Sequence, residues 1–212
     1  MKKHILILCI LLSANLHAQH YNFNLLTNYN IQVETTSNDR LVYSHTGDPN
    51  IFLTVKGNNE SKEAQLLDIG RLMVHRFKID QIVEKGDVFF KFAYIKSEII
   101  KPEKGFMQHD FTIKVIAQDS LTKTVEVSIF KNAKKKKPVM TQTLTMKKYH
   151  VNLFPLYRVS GLHPFEMLSK IDISGNYIVT GGKGKAFLGH TLMTKLVYTK
   201  EIALELVVPE NH

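Results

Sequence analysis

Odd positions from Tyr21 to Val33 (Tyr21, Phe23, Leu25, Thr27, Tyr29, Ile31, Val33) are apolar, aromatic or β-branched. The even positions carry Asn22, Asn24, Asn28, Asn30 and Gln32, with Leu26 the one exception. Alternation at period two marks a strand with one dry face and one wet face. At about 3.3 Å per residue the stretch spans roughly 43 Å, far longer than the usual strand of about five or six residues. A strand of that length does not lie across a small flat sheet. It predicts a strongly curved one, closed into a barrel or left as a half-barrel.

The same alternation recurs in shorter runs: Leu41–Ser44, Ile51–Val55, Ala64–Ile69, Leu72–Ile79, Val88–Lys96, Phe111–Val115, Val125–Ile129 and Met140–Met146. Between them lie polar stretches rich in turn formers, TTSNDR (35–40), HTGDPN (45–50), GNNESK (57–62), EKGD (84–87) and KPEKG (101–105), which predict turns and loops. Asn59-Glu60-Ser61 matches a glycosylation acceptor and reports exposure only. His163–Ile171 breaks the pattern, with Pro164 in a first turn and Phe165, Leu168 and Ile171 spaced for one helical face. Two final strands are expected, one around Leu188, Leu192, Leu196 and Tyr198, the other around Ile202, Leu204, Leu206 and Val208, divided at Thr199-Lys200-Glu201. The fold class is therefore all-β: a strongly curved antiparallel meander, half-barrel or barrel-like, of about eleven or twelve strands with one short helix near 163–171. In outline this is similar to the open half-barrel of periplasmic lipoprotein-carrier domains, a likeness of shape that no motif carries.

Residues 1–18 read as a secretory signal peptide rather than as part of that sheet. Lys2, Lys3 and His4 form a basic start, Ile5–Leu12 an apolar run too short to span a membrane, and Ala18 precedes the expected cleavage point. Residues 19–212 form a single β-rich domain, and export to the periplasm or beyond is expected. The chain's one cysteine, Cys9, falls inside the apolar run. Disulfides, thiolate nucleophiles and cysteine metal sites are thus not expected after cleavage, and the hydrophobic core must hold the domain. No later apolar stretch approaches the ~20 residues of a membrane helix, so no transmembrane segment is expected in the mature chain.

The chain carries a net charge of +9, which speaks to solubility and to anionic partners rather than to fold. Lys134, Lys135, Lys136 and Lys137 repel one another and predict a solvated turn, with contact to anionic lipid or glycan as the functional reading. Nucleic acid is not expected, because no aromatic residues are interleaved with these lysines. Gly181–Lys185 (GGKGK) departs from a phosphate loop in spacing and in the Ala186 that follows, and predicts a hairpin tip.

No histidine spacing announces a zinc site, no Gly-x-Ser-x-Gly elbow is present, and no carboxylate pair stands out for acid–base work. Enzymatic activity, a metal and a cofactor are not expected. His75 and His190 fall on what the alternation makes the apolar faces of their strands. Together with Tyr21, Phe23, Tyr29, Phe90, Phe92 and Tyr94 they are the candidate lining of an apolar site, since a curved sheet wrapped on one short helix encloses more space than that helix fills. The expected function is that of an exported, non-enzymatic protein holding a lipid-like, apolar or amphiphilic ligand on the concave face. The alternative is an envelope-surface interaction or structural module acting through its basic hairpin turns.

Overall fold

A computed structural model of the chain describes residues 18–56, 63–84, 87–101, 109–161, 171, 173–186 and 189–209. Eleven strands run in chain order: β1 (Ala18–Val33), β2 (Thr36–His45), β3 (Asp48–Lys56), β4 (Glu63–Asp68), β5 (Met73–Glu84), β6 (Asp87–Ile99), β7 (Asp110–Gln118), β8 (Thr122–Phe130), β9 (Met140–Lys148), β10 (Tyr177–Lys185) and β11 (Thr191–Pro209). Among the described residues one helix, α1 (Phe154–Gly161), stands between β9 and β10.

All eleven strands belong to one antiparallel sheet in the order β6-β5-β4-β3-β2-β1-β11-β10-β9-β8-β7. The sheet is curved and unclosed, as the long first strand predicts. The first and last strands pair with each other at its centre, and β6 and β7, consecutive in the chain, are its two edges. Each edge strand carries a bulge, at Ile95 in β6 and Ile116 in β7, which disrupts the ladder a foreign strand would need.

The structure alters several boundaries. Thr36–Arg40 belongs to β2 rather than to a loop, because Val33 pairs with Thr36 around the two-residue turn Glu34-Thr35. Glu34 takes a φ of 52° there, the positive φ that tight hairpins demand. GGKGK is not a hairpin tip but the second half of β10, paired on both sides with β9 and β11. Thr199-Lys200-Glu201 divides nothing, because β11 is one strand of 19 residues. Opposite β1 it spends an extra residue twice, between Leu196 and Tyr198 and between Glu201 and Leu204. Those bulges shift its apolar face and imitate a break in the sequence pattern.

The helix expected near 163–171 falls mostly on residues 163–170, outside the described residues, as do the loops at 57–62, 85–86 and 102–105, the Asn59 acceptor and Leu188. Helix α1 lies earlier, where its signals are local. The Asn152 side chain accepts the Phe154 amide at 3.0 Å, Pro155 sits in the first turn, and the Ser160 hydroxyl donates to the Leu156 carbonyl. No helix among the described residues is long and apolar enough to cross a membrane.

Two hydrophobic cores result, and the register explains why. Residues opposed across a ladder share a face of the sheet. One face of β2 and β3 presents Val42 and Phe52, the other Tyr43, Leu53 and Val55. The first pair joins Leu25, Tyr29 and Ile31 of β1, Val125, Val127 and Ile129 of β8, and Phe154, Leu156 and Tyr157 of the helix. The second group continues through Ala64 and Leu66 of β4 to Phe77 and Ile79 of β5. β2 pairs with β1 only over Leu25–Val33, so residues 18–23 of β1 pair with the end of β11 alone. That two-stranded arm lays Tyr21, Phe23, Leu206 and Val208 onto the second core.

Candidate functional site

Six of the eight residues singled out for an apolar site gather at the second core, and two do not. Tyr21 and Phe23 are buried in it, and Phe90, Phe92 and Tyr94 pack half-buried along its rim from the edge strand β6. The Phe77 ring stands edge-on to those of Phe92 and Tyr94, at 6.5 and 6.0 Å between centroids. The Tyr43 ring meets Phe92 in the same way at 6.0 Å. Alternating geometry of this kind adds about 0.5–1.5 kcal/mol per pair beyond area burial.

Tyr29 belongs to the helix side, where its hydroxyl donates to the Val179 carbonyl at 2.8 Å and its ring meets Tyr157. His190 departs from the expected apolar face altogether. It is exposed just before β11, 3.5 Å from Glu34, because the strand begins one residue later than the alternation implies. Lys134, Lys135, Lys136 and Lys137 are exposed in the β8–β9 connection and form no ion pair among the described residues.

The sixth residue, His75, is 2% exposed and anchors a polar corner at one end of the aromatic row. Its Nε2 lies 3.1 Å from the Tyr21 hydroxyl and its Nδ1 2.7 Å from the Ser97 hydroxyl. Tyr21 also reaches the Gln19 side-chain oxygen at 2.6 Å and the buried Asp68 carboxylate at 3.0 Å. The proton arithmetic fixes a direction. Tyr21 has one proton, which goes to those acceptor-only oxygens, so His75 must carry its proton on Nε2 and donate to Tyr21. Neutral His75 then accepts at Nδ1 from Ser97, and Ser97 in turn accepts from the Tyr94 hydroxyl 2.8 Å away. The chain runs Tyr94 to Ser97 to His75 to Tyr21 to Asp68, tying β6, β5, the β1 arm and β4 together.

Asp68 and Arg71 complete the corner from the turn between β4 and β5. The Asp68 carboxylate accepts the Arg71 backbone amide at 2.9 Å, closing the turn locally. It also pairs with Arg71 Nη1 at 3.2 Å. Leu72 follows at a φ of 54°, a conformation that costs an L-residue roughly 1–2 kcal/mol and is held here by the backbone bonds on either side of it.

Sequence reasoning finds His75, Tyr21 and Tyr94 but misses Gln19, Asp68, Arg71 and Ser97. Nothing in their spacing announces that four separate strands and a turn converge there. No family model matches the chain, and a search of curated proteins finds no match to it. The reading of the site accordingly rests on its own geometry.

Burial pushes His75 below its ordinary value of 6.5, with Arg71 adding to the depression and Asp68 opposing it. Below 6.5 the unfolded chain therefore binds more protons than the folded one, and stability is lost as pH falls from 6.5 toward the depressed folded value. On the alkaline side, burial foremost pushes Tyr21 and Tyr43 up to about 12 from an ordinary 10.0, and burial raises Tyr29 further. Stability is then lost as pH rises from 10 toward 12. Urea midpoints measured between pH 5 and 7.5 should rise with pH in the wild type and lose most of that slope in His75→Gln. Parallel slopes would show that His75 does not titrate as the corner requires.

Proposed function

We propose that the protein is an exported, non-enzymatic binding protein for an apolar or amphiphilic, lipid-like ligand. The ligand lies along the half-buried aromatic row of β6, on the face opposite the helix. The helix side is filled by Phe154, Leu156 and Tyr157, whereas the rim of the second core keeps Phe90, Phe92 and Tyr94 half exposed. One observation carries the reading: Phe90, Phe92 and Tyr94 stand on one face of an edge strand, half-covered, at the rim of the core that Ile202 and Leu204 of β11 also flank. Aromatic side chains held partly out of water by a stable core form the wall of an apolar site, and the few polar groups at its end orient what binds.

Two features of the Tyr94–His75–Asp68 chain support the non-enzymatic reading. Tyr21 is pushed away from a reactive phenolate, and both nitrogens of His75 are already engaged inside the protein. The alternative of an envelope-surface module rests on the exposed Lys134–Lys137 turn alone, and that exposure equally describes a solvated loop.

Native mass spectrometry of protein purified from its own host should show a bound lipid-like mass, and an environment-sensitive fatty-acid probe should bind. Phe92→Ala should weaken the probe by roughly tenfold to a hundredfold, since losing the phenyl contact removes roughly 1.5–3 kcal/mol. Protein that is empty and also ignores the probe would end the proposal.

A further inference from the structure

We infer that Arg71 is the headgroup site of this protein and that the ligand class is a single-chain amphiphile ending in a carboxylate. The inference rests on the apolar-site reading above and gives it a polarity and a direction. An apolar row on β6 starts at the corner and runs away from it, and residues of β11 pack against the same core. On β6 the order from Ser97 is Tyr94, Phe92, Phe90, and on β11 the order from Leu206, opposite Tyr21, is Leu204 and then Ile202. The bonds from Tyr94 through Ser97 and His75 to Tyr21 join the end of the β6 row to Arg71. The eight residues of strand from Phe90 to Ser97 extend roughly 23 Å, the scale of a long acyl chain.

The chemistry of Arg71 selects what sits at the polar end. Its Nη1 donates to the Gln19 side-chain oxygen at 3.2 Å, to the Tyr21 hydroxyl at 3.3 Å and to Asp68 at 3.2 Å. Those contacts, shared among the two N–H groups of Nη1, hold one corner of the guanidinium. The Nε–Nη2 edge makes no hydrogen bond among the described residues, and the side chain is 60% exposed. A guanidinium held at one corner with one open edge presents two parallel donors, the geometry that a carboxylate accepts bidentately.

Asp68 limits the charge of the guest. Its carboxylate already offsets Arg71, so a dianionic phosphate head would meet repulsion that a monoanion largely escapes. The positive charge of the whole chain favours the approach of an anion. The contrast with Arg76 is informative: two carboxylates, Glu63 at 3.6 Å and Glu98 at 2.7 Å, already occupy it.

The test compares palmitate, hexadecanol and dodecyl phosphate by displacement of a fluorescent fatty-acid probe from the full chain. The wild type should bind palmitate at least tenfold more tightly than hexadecanol. Arg71→Gln should weaken palmitate by about tenfold to a hundredfold, the scale of a lost charge-assisted pair, and leave hexadecanol unchanged. Arg71→Lys, a point charge without the fork, should fall between them, and Arg76→Gln should bind as the wild type does. Unfolding midpoints of all three variants show whether the fold survives.

Equal binding of palmitate and hexadecanol, untouched by Arg71→Gln, would overturn the headgroup site while leaving the apolar site standing. A parallel loss of both ligands in a folded Arg71→Gln protein would make Arg71 a structural brace and also overturn it. Tighter binding of dodecyl phosphate than of palmitate would overturn the carboxylate class. Failure of the wild type to bind any of the three would remove the apolar-site reading itself.

Discussion

Phe77→Ala should destabilise the protein by about 3–5 kcal/mol, the cost of emptying a close-packed aromatic position. Phe77 is 1% exposed, shares the second core with Tyr21 and Phe23 of the arm, and meets the rings of both Phe92 and Tyr94 edge-on. Its removal takes away the floor on which the half-buried aromatic row stands, so probe binding should weaken along with the urea midpoint. Phe89, on the opposite face of the same edge strand, is 52% exposed, and Phe89→Ala should stay within about 0.5 kcal/mol of the wild type. Comparable losses at the two positions would mean that the second core is not packed as described.

The second large effect is expected at Gly184. A Cβ built there would stand 2.0 Å from the Thr141 carbonyl oxygen and 2.7 Å from the Gln142 Cα, both backbone atoms of β9. Neither can step aside without opening the β9–β10 ladder. Gly184→Ala should therefore cost about 3 kcal/mol or more, the upper end for overpacking, out of a total that is typically only about 5–15 kcal/mol. At Gly182 the closest atom is instead a methyl at the end of Leu144, at 2.6 Å. A side chain yields more readily than a backbone, so Gly182→Ala should cost less. Urea midpoints of the two variants decide the order, and a tolerated Gly184→Ala would contradict the strand pairing of GGKGK.

That pairing shows where reading the sequence reaches its end. Three glycines with two lysines look like a flexible tip, because glycine is poor in strands and local propensity is all that spacing reveals. The glycines at 182 and 184 are there because β9 passes too close for a Cβ, a fact about a neighbour some forty residues away. The bulges of β11 mislead in the same manner. Each adds a residue that shifts the apolar phase, and the eye takes a phase shift for a turn. Helix α1 leaves little trace in the pattern because Phe154–Gly161 is too short to display a period, and only its Asn152 cap and Pro155 mark it.

The class of structure is written in the alternation: long alternating runs separated by polar turns bury their dry faces as a curved antiparallel sheet. The alternation also selected most of the aromatic side chains that line the candidate site, since those stand out by parity along a single strand. Tertiary structure decided which of them meet. Tyr21 and Tyr29 share a parity on β1, yet they enter different cores, because the first lies on the arm beyond the end of β2 and the second within the β1–β2 ladder. It likewise brought Asp68, Arg71 and Ser97 to His75. Alternation records which way a side chain points from its own strand, whereas a site forms where separate strands are brought together, and that depends on register and twist.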